Sequence, residues 1–454
     1  METSLFCISP IDGRYKNYTA PLKNYFSEFA LFKYRLLFEI IYFLFLQEIG
    51  ILEINDIDFE NYSKQLKNIY TNFNYKDCIR IKEIEREIKH DVKSVEYFLH
   101  EKFDNIGLSN KKQFIHFGLT SQDINNNSVT LSIKECIEKE IIPYIENLLS
   151  IILDKSNEWI QFKMISHTHG QPAVPTTMGK EFQVFHYRIT KQLKYLKNIT
   201  YYGKLGGAVG NLNAHYAAYP NIDWENKMKE FLGLFSLKRE KLTTQIDNYE
   251  NLSNIFDCLK RMNTIFIDMN KDIWHYISIN YMTQKFNKNE VGSSTMPHKI
   301  NPINFENSEG NLLIANCLLN FMSEKLPISR LQRDLTDSTV LRNIGTIFGH
   351  MLIAYKNMDT GLQKIDINYN VLKNDLHDNT LVIVEGLQTI LRKHGHQNAY
   401  ELFKDLSRNN QKINIDEIHS FIKNLNIDDI IKTELYNLTI ENYVGLSDKI
   451  NKKY

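Results

Sequence analysis

The chain has 454 residues, a mean hydropathy of −0.36, and 54 Lys plus Arg against 54 Asp plus Glu. That length buries a large core and divides into two or three domains. The balanced charge gives no support for a nucleic-acid or membrane-surface partner, so an anionic substrate would have to meet a local cluster of positive side chains.

The opening Met1-Glu2-Thr3-Ser4 lacks the basic-then-apolar pattern of a secretory leader. The five cysteines, Cys7, Cys78, Cys136, Cys258 and Cys317, are widely spaced and form no Cys-x-x-Cys pair. A disulfide framework or zinc site is not expected, and a reducing, cytoplasmic setting fits. The apolar run Ile40 to Leu46 is flanked by Lys33, Arg35, Glu39, Gln47 and Glu48. It is too short to span a bilayer and reads as one face of a buried helix.

Only nine prolines occur, none between Lys23 and Ile142 and none after Pro327. From Leu234 to Val291 there is neither glycine nor proline. Strand-rich folds need frequent turn residues, so the expected class is all-α. Three helical domains are expected: an N-terminal one over 1–112, a central long-helix bundle over 113–364, and a C-terminal one over 365–454.

In chain order, the first polar cluster is Lys89-His90-Asp91, beside a helical stretch. A lone His-Asp pair there is usually a surface or capping feature. The next is His116-Phe117-Gly118-Leu119-Thr120-Ser121-Gln122-Asp123. It reads as a helix start with Thr120 or Ser121 as cap, or as part of a site. Helices are expected near Ser128–Ser156 and Thr177–Thr200. Between them, Ser166-His167-Thr168-His169-Gly170-Gln171-Pro172 forms a loop bounded by Gly and Pro. Its imidazoles suit acid–base work or backbone bonding. His-x-His also suits a metal, but with no third ligand suitably spaced nearby, none is assigned.

The stretch Gly203 to Gly210 lacks the Walker pattern and Gly-x-Gly-x-x-Gly, and reads as a tight connection between helices. Over Ser253–Gln284, Ile255, Leu259, Met262, Phe266, Met269, Ile273, Tyr276 and Ile277 recur at helical spacing. Ile265, Ile267, Trp274 and Ile279 add apolar groups on other faces, so this helix should be buried on several sides.

The most informative segment is Gly292-Ser293-Ser294-Thr295-Met296-Pro297-His298-Lys299-Ile300-Asn301-Pro302. Two prolines bar it from helix, and dense polar groups between rigid elements suit chemistry. Helices should follow over Ile303–Lys325 and Thr336–Lys364. Across the gap and into the second of these runs Arg330 to Arg342, where Arg333 and Arg342 flank Ser338. Those charges make either a solvated face or a clamp for phosphate or carboxylate.

His116–Asp123, His167–Pro172 and Gly292–Pro302, in that order, resemble the characteristic regions of the fumarase/aspartase superfamily. Its enzymes eliminate fumarate from a substituted succinate. Pro10-Ile11-Asp12-Gly13-Arg14-Tyr15, Lys89-His90-Asp91-Val92-Lys93, Thr243-Thr244-Gln245-Ile246 and Arg333 to Asn343 resemble its bacterial-type adenylosuccinate lyase branch. The likeness is dense from Ile11 to about Ile365 and weaker beyond.

The resemblance implies an L-aspartase-like homotetramer around a twenty-helix core, with each active site built from three subunits. It implies small-molecule substrates of purine biosynthesis and no cofactor or metal. The reactions would split adenylosuccinate to AMP and fumarate, and the succinylated carboxamide ribotide (SAICAR) to its aminoimidazole carboxamide (AICAR) and fumarate. His169 becomes the general acid and Ser293 the general base, with Ser294 the adjacent alternative. From chemistry alone Ser293 would be a nucleophile. An alcohol serves as base only if nearby amides, a helix end or a cation stabilise its alkoxide.

The resemblance puts Lys299 and Asn301 at the substrate carboxylates. It adds Arg14, Tyr15, His90, Asp91, Thr120, Ser121, Gln245, Asn307, Arg333, Ser338 and Arg342 as substrate contacts, with Arg14, Arg333 and Arg342 as phosphate or nucleotide ligands and His90 supporting the acid or the phosphate. Lys89 departs from the asparagine expected there and is left out; Asn307 stands where some relatives carry arginine. Argininosuccinate lyase, aspartase and fumarase share the signature loop, but the cations from Arg333 to Arg342 suit a nucleotide phosphate. A non-catalytic scaffold would be expected to lose the acid or base, and both are present.

Overall fold

Long runs without glycine or proline become long helices. The computed structural model describes residues 5–285, 296, 299–409 and 413–450. It is mostly helical, as expected, with three two-stranded pairings among the described residues. The expected helix over Ile303–Lys325 has those bounds. The one expected over Ser253–Gln284 runs Glu250–Ser278. It stops early because Asn280 turns left-handed, and Met282–Gln284 then pairs antiparallel with Ile365–Ile367. The stretch expected as one helix over Thr336–Lys364 is two, Thr336–Leu341 and Ile344–Lys364.

The chain divides into two compact units. One comprises Met1–Ile145, Gln192–Thr264 and Gly310–Lys356; the other comprises Glu146–Lys191, Ile265–Glu309 and Asn357–Tyr454.

The first unit is organised by the Glu28–Glu48 helix. Ser27 caps it, accepting from Ala30 N at 3.1 Å. Apolar side chains on all its sides are buried, including Phe32, Leu36, Phe38, Ile40, Tyr42, Phe43 and Leu46, as a central helix requires. Two further helices begin where candidate contacts lie. His90 caps Asp91–Asn105, its Nδ1 accepting from Lys93 N at 3.1 Å. Thr120 caps Ser121–Cys136, and its own N–H donates to Asp123 Oδ2 at 2.8 Å. The capping readings of both segments are therefore correct locally. They also put His90, Asp91, Thr120 and Ser121 at helix N-termini, where unpaired N–H groups favour anions.

The second unit holds a β-hairpin where the sequence reading expected an irregular loop. Lys163–Thr168 pairs antiparallel with Gln171–Thr177. The connection is the two residues His169 and Gly170, with φ of 53° and 72°. Two successive positive φ values characterise a type I′ turn, whose twist matches that of the strands it joins. The hairpin leans on the C-terminal helices. Ile165 is fully buried among Leu376, Ile383, Leu387, Ile422 and Ile440. Lys163 Nζ reaches Glu441 at 3.2 Å, and Thr177 Oγ1 donates to Ser447 O at 3.0 Å.

Ile165→Ala should therefore destabilise this unit by about 2–5 kcal/mol, the usual range for a large-to-small core change. The check is the urea midpoint of unfolding. An unchanged midpoint would mean that the hairpin does not depend on that cluster.

Candidate active site

The first unit gathers ten of the sequence-predicted residues, and side-chain bonds join several of them. Arg333 Nη1 donates to Gln245 Oε1 at 2.9 Å, and Gln245 Nε2 donates to Ala208 O at 2.9 Å. Arg333 Nε is buried and lacks a hydrogen-bond partner. Gln122 Nε2 donates to Ser338 Oγ at 3.3 Å, linking the Ser121–Cys136 helix to the Thr336–Leu341 helix. Asp91 lies 2.6 Å from the buried guanidinium of Arg35 and 3.8 Å from the exposed one of Arg342. Burial opposes ionisation of Asp91, yet the two arginines hold its carboxyl below the ordinary carboxylate range. Arg14 is exposed, its guanidinium 5.8 Å from the ring centroid of half-buried Tyr15.

In the second unit His169 is exposed at the hairpin tip. A left-handed histidine is uncommon but far less strained than a β-branched residue would be. His167, one strand position before Thr168, lies 6.2 Å from the Tyr281 ring. Lys299 is exposed and Asn301 half-buried just ahead of the Ile303–Lys325 helix; Asn307 is half-buried in its second turn. Ser293 and Ser294 lie outside the described residues. Among the described residues no group of three or more His, Cys, Asp or Glu is placed to hold a metal ion. Among them, too, no helix is long and apolar enough to cross a membrane.

A family model described as Lyase matches residues 13–315, and one described as Adenylosuccinate lyase C-terminal matches 329–444. The adenylosuccinate lyase of Dictyostelium discoideum is 47% identical, covering 98% of this chain and 97% of the relative. The chain belongs to the adenylosuccinate lyase family. Within that family the adenylosuccinate lyase of Buchnera aphidicola subsp. Acyrthosiphon pisum (strain APS) is 45% identical, covering 99% of this chain and 98% of its own. A solved fumarate lyase from Mesorhizobium sp. is only 14% identical but shares the fold, with a TM-score of 0.71 over 94% of this chain and 96% of that one. Family membership makes the chain a lyase of the fumarase/aspartase superfamily.

Several buried groups that hold these segments in place escaped the sequence reading. Asp123 Oδ1 accepts from Lys204 Nζ at 2.7 Å and Gly206 N at 2.9 Å, and Oδ2 accepts from Gly207 N at 3.0 Å. Both side chains of this ion pair are wholly buried. The Thr-x-x-Asp spacing could have flagged Asp123 as a capping-box member. Nothing local marks Lys204 as its partner. His215 Nε2 lies 2.9 Å from the Tyr42 hydroxyl, which also donates to Phe117 O at 3.0 Å. Burial lowers His215 to about 4, so this imidazole is neutral.

His116 has the opposite charge state. Its Nδ1 lies 2.6 Å from Glu39 Oε1, and its Nε2 lies 3.9 Å from Glu96 Oε1. Burial disfavours the imidazolium, but Glu39, Glu96 and Asp123 outweigh it and raise the pKa to about 9. The ordinary value is about 6.5. The resulting stabilisation is complete below the unfolded value and disappears as pH rises through the folded one. At pH 7 it is worth about 2–3 kcal/mol. Wild type should therefore lose thermal stability between about pH 7 and pH 9.5. His116→Gln should start less stable and show a flatter profile over that window. Parallel profiles would refute a charged His116.

Proposed function

We propose that this chain splits adenylosuccinate into AMP and fumarate, and SAICAR into AICAR and fumarate, as a cytoplasmic homotetramer. The observation that carries the reading is nearly full-length likeness, at 45–47% identity, to two proteins named adenylosuccinate lyase. The three-domain division 1–112, 113–364 and 365–454 belongs to the same proposal.

The reaction removes a proton from the carbon beside one substrate carboxylate. The electron pair spreads into that carboxylate, then forms the double bond as the neighbouring carbon–nitrogen bond breaks. The leaving nitrogen takes up a proton. In this reading Ser293 as alkoxide takes the carbon proton, and His169 gives one to nitrogen. Ser294 is the alternative base. Lys299 and Asn301 meet the carboxylate, whose charge grows in the transition state. Asn307 adds a neutral contact. Arg14, Arg333 and Arg342 are the phosphate or nucleotide ligands, His90 supports the acid or the phosphate, and Tyr15, Asp91, Thr120, Ser121, Gln245 and Ser338 are further substrate contacts. The exposed tip position of His169 leaves its ring open to a substrate. The cations near Asp91 and Gln245 suit a phosphate.

Purified protein should convert adenylosuccinate with the ultraviolet change of AMP formation. His169→Ala and Ser293→Ala should each cut turnover about 10²–10⁴-fold while keeping the helical circular dichroism of wild type. A loss under about tenfold in both would sink the role assignment. Ser294→Ala, assayed beside them, separates the two candidate bases.

The tetramer reading draws support from one helix. On Ile303–Lys325, Leu313, Cys317 and Phe321 recur every four residues and are exposed in the single chain, with Ile314 beside them. Such a stripe suits coverage by another subunit. The Glu250–Ser278 helix, expected to carry that role, exposes only Trp274 among its large apolar residues. If each site draws on several subunits, inactive His169→Ala and Ser293→Ala proteins should regain partial activity when dissociated and reassociated together. Mixed oligomers as inactive as their parents would rule out shared sites.

A further inference from the structure

Within the first unit, a buried polar chain runs between segments that the proposed reaction assigns to substrate binding. Asp247 N–H donates to Asn126 Oδ1 at 3.1 Å. Asn126 Nδ2 donates to the Tyr249 hydroxyl at 2.6 Å. That hydroxyl donates to Asp337 Oδ2 at 2.8 Å, and Ser338 N–H donates to Asp337 Oδ1 at 2.7 Å. The side chains of Asn126, Asp247, Tyr249 and Asp337 belong to residues no more than 4% exposed. Every donor along the chain points towards the Asp337 carboxylate, so each amide and hydroxyl has one orientation.

We propose that Tyr249 is a positioning residue for substrate binding: its hydroxyl locks the Ser121–Cys136 helix, the Gln245 loop and the Thr336–Leu341 helix into one substrate-binding set. The inference rests on the proposed reaction and concerns residues that reaction does not itself use.

Three physical facts carry it. The Thr336–Leu341 helix has six residues, too few to hold its own shape or place in water. It carries Ser338 and leads into Arg342, so their placement depends on what grips Asp337. The Gln245 segment has no regular structure. It is tied down through Asp247 N–H and through Gln245 N–H, which donates to Gln332 O at 3.2 Å. Lastly, Tyr249 has φ of 65°. Aromatic residues rarely adopt that conformation, and it persists only where the surroundings over-determine it. Here they do: its carbonyl accepts from Ser253 N at 2.9 Å as the Glu250–Ser278 helix starts, and its hydroxyl is held from both sides. A core in need of bulk alone would place phenylalanine here; the hydroxyl adds direction.

Tyr249→Phe keeps the ring and removes the single oxygen. Asn126 Nδ2 and Asp337 Oδ2 then each lose a partner. The expected result is a KM for adenylosuccinate raised about 5–50-fold with kcat within about threefold of wild type. A purely structural role predicts a lower Tm with an unchanged KM in the folded enzyme, and that result would overturn the inference. Asp337→Asn, of equal size, gives the second reading. If the chain acts as one device, the double variant should raise KM no further than the larger single change does. Effects that multiply would overturn it. Should Tyr249→Phe fail to fold, the KM of Asp337→Asn decides alone: raised as above it supports the inference, unchanged it overturns it. A wild type inactive on adenylosuccinate would refute the reaction rather than the chain. Calorimetric titration of both proteins with AMP would then decide: weaker binding by Tyr249→Phe supports the positioning role, and equal binding overturns it.

Discussion

One buried carboxylate, that of Asp123, sets the geometry of the first unit. A charge taken from water costs several kcal/mol unless every lone pair finds a donor. Asp123 meets that demand with Lys204 Nζ and the N–H groups of Thr120, Gly206 and Gly207. Meeting it draws the glycine-rich segment against the start of the Ser121–Cys136 helix. The approach leaves little space for side chains: a Cβ on Gly203 would lie 2.3 Å from Asn127 Oδ1 on that helix. The stretch between Gly203 and Gly210 therefore acts as close-packed backbone. It also brings Ala208 O within reach of Gln245. Removing either half of the ion pair would leave the other half buried without its counter-charge.

Charge elsewhere follows the same logic of fixed pairing in a chain whose total charge is zero. His116 is held as a cation by Glu39 and Glu96, while His215, close to the same segment, is neutral. The two imidazoles differ because one faces carboxylates and the other faces a tyrosine hydroxyl and an indole ring. Arg35 is buried and occupies Asp91 on one side, which leaves Arg342 more loosely held on the other.

The second unit presents the exposed imidazole of His169 on a rigid support. A two-residue hairpin turn holds His169 away from the strands. Its base is anchored in an apolar cluster and by Glu441 and Ser447. In the proposed reaction His169 is the proton donor; a long loop would blur its orientation, whereas a turn closed by strand pairing fixes it at small cost.

The sequence by itself determined the helical class, the length of the Ile303–Lys325 helix, the helix start at Thr120 or Ser121, and the family. Those properties are local: they follow from glycine and proline placement, from three- and four-residue periodicity, and from short ordered motifs. Tertiary structure alone decided the hairpin at His169, the early end of the helix at Ser278, and the break between Leu341 and Ile344. It alone matched Lys204 to Asp123, Glu39 to His116, and Tyr249 to Asp337. These partners stand about 80 residues apart in the chain. No local pattern encodes such a pairing, because the desolvation that makes it necessary exists only once the core has closed around both groups.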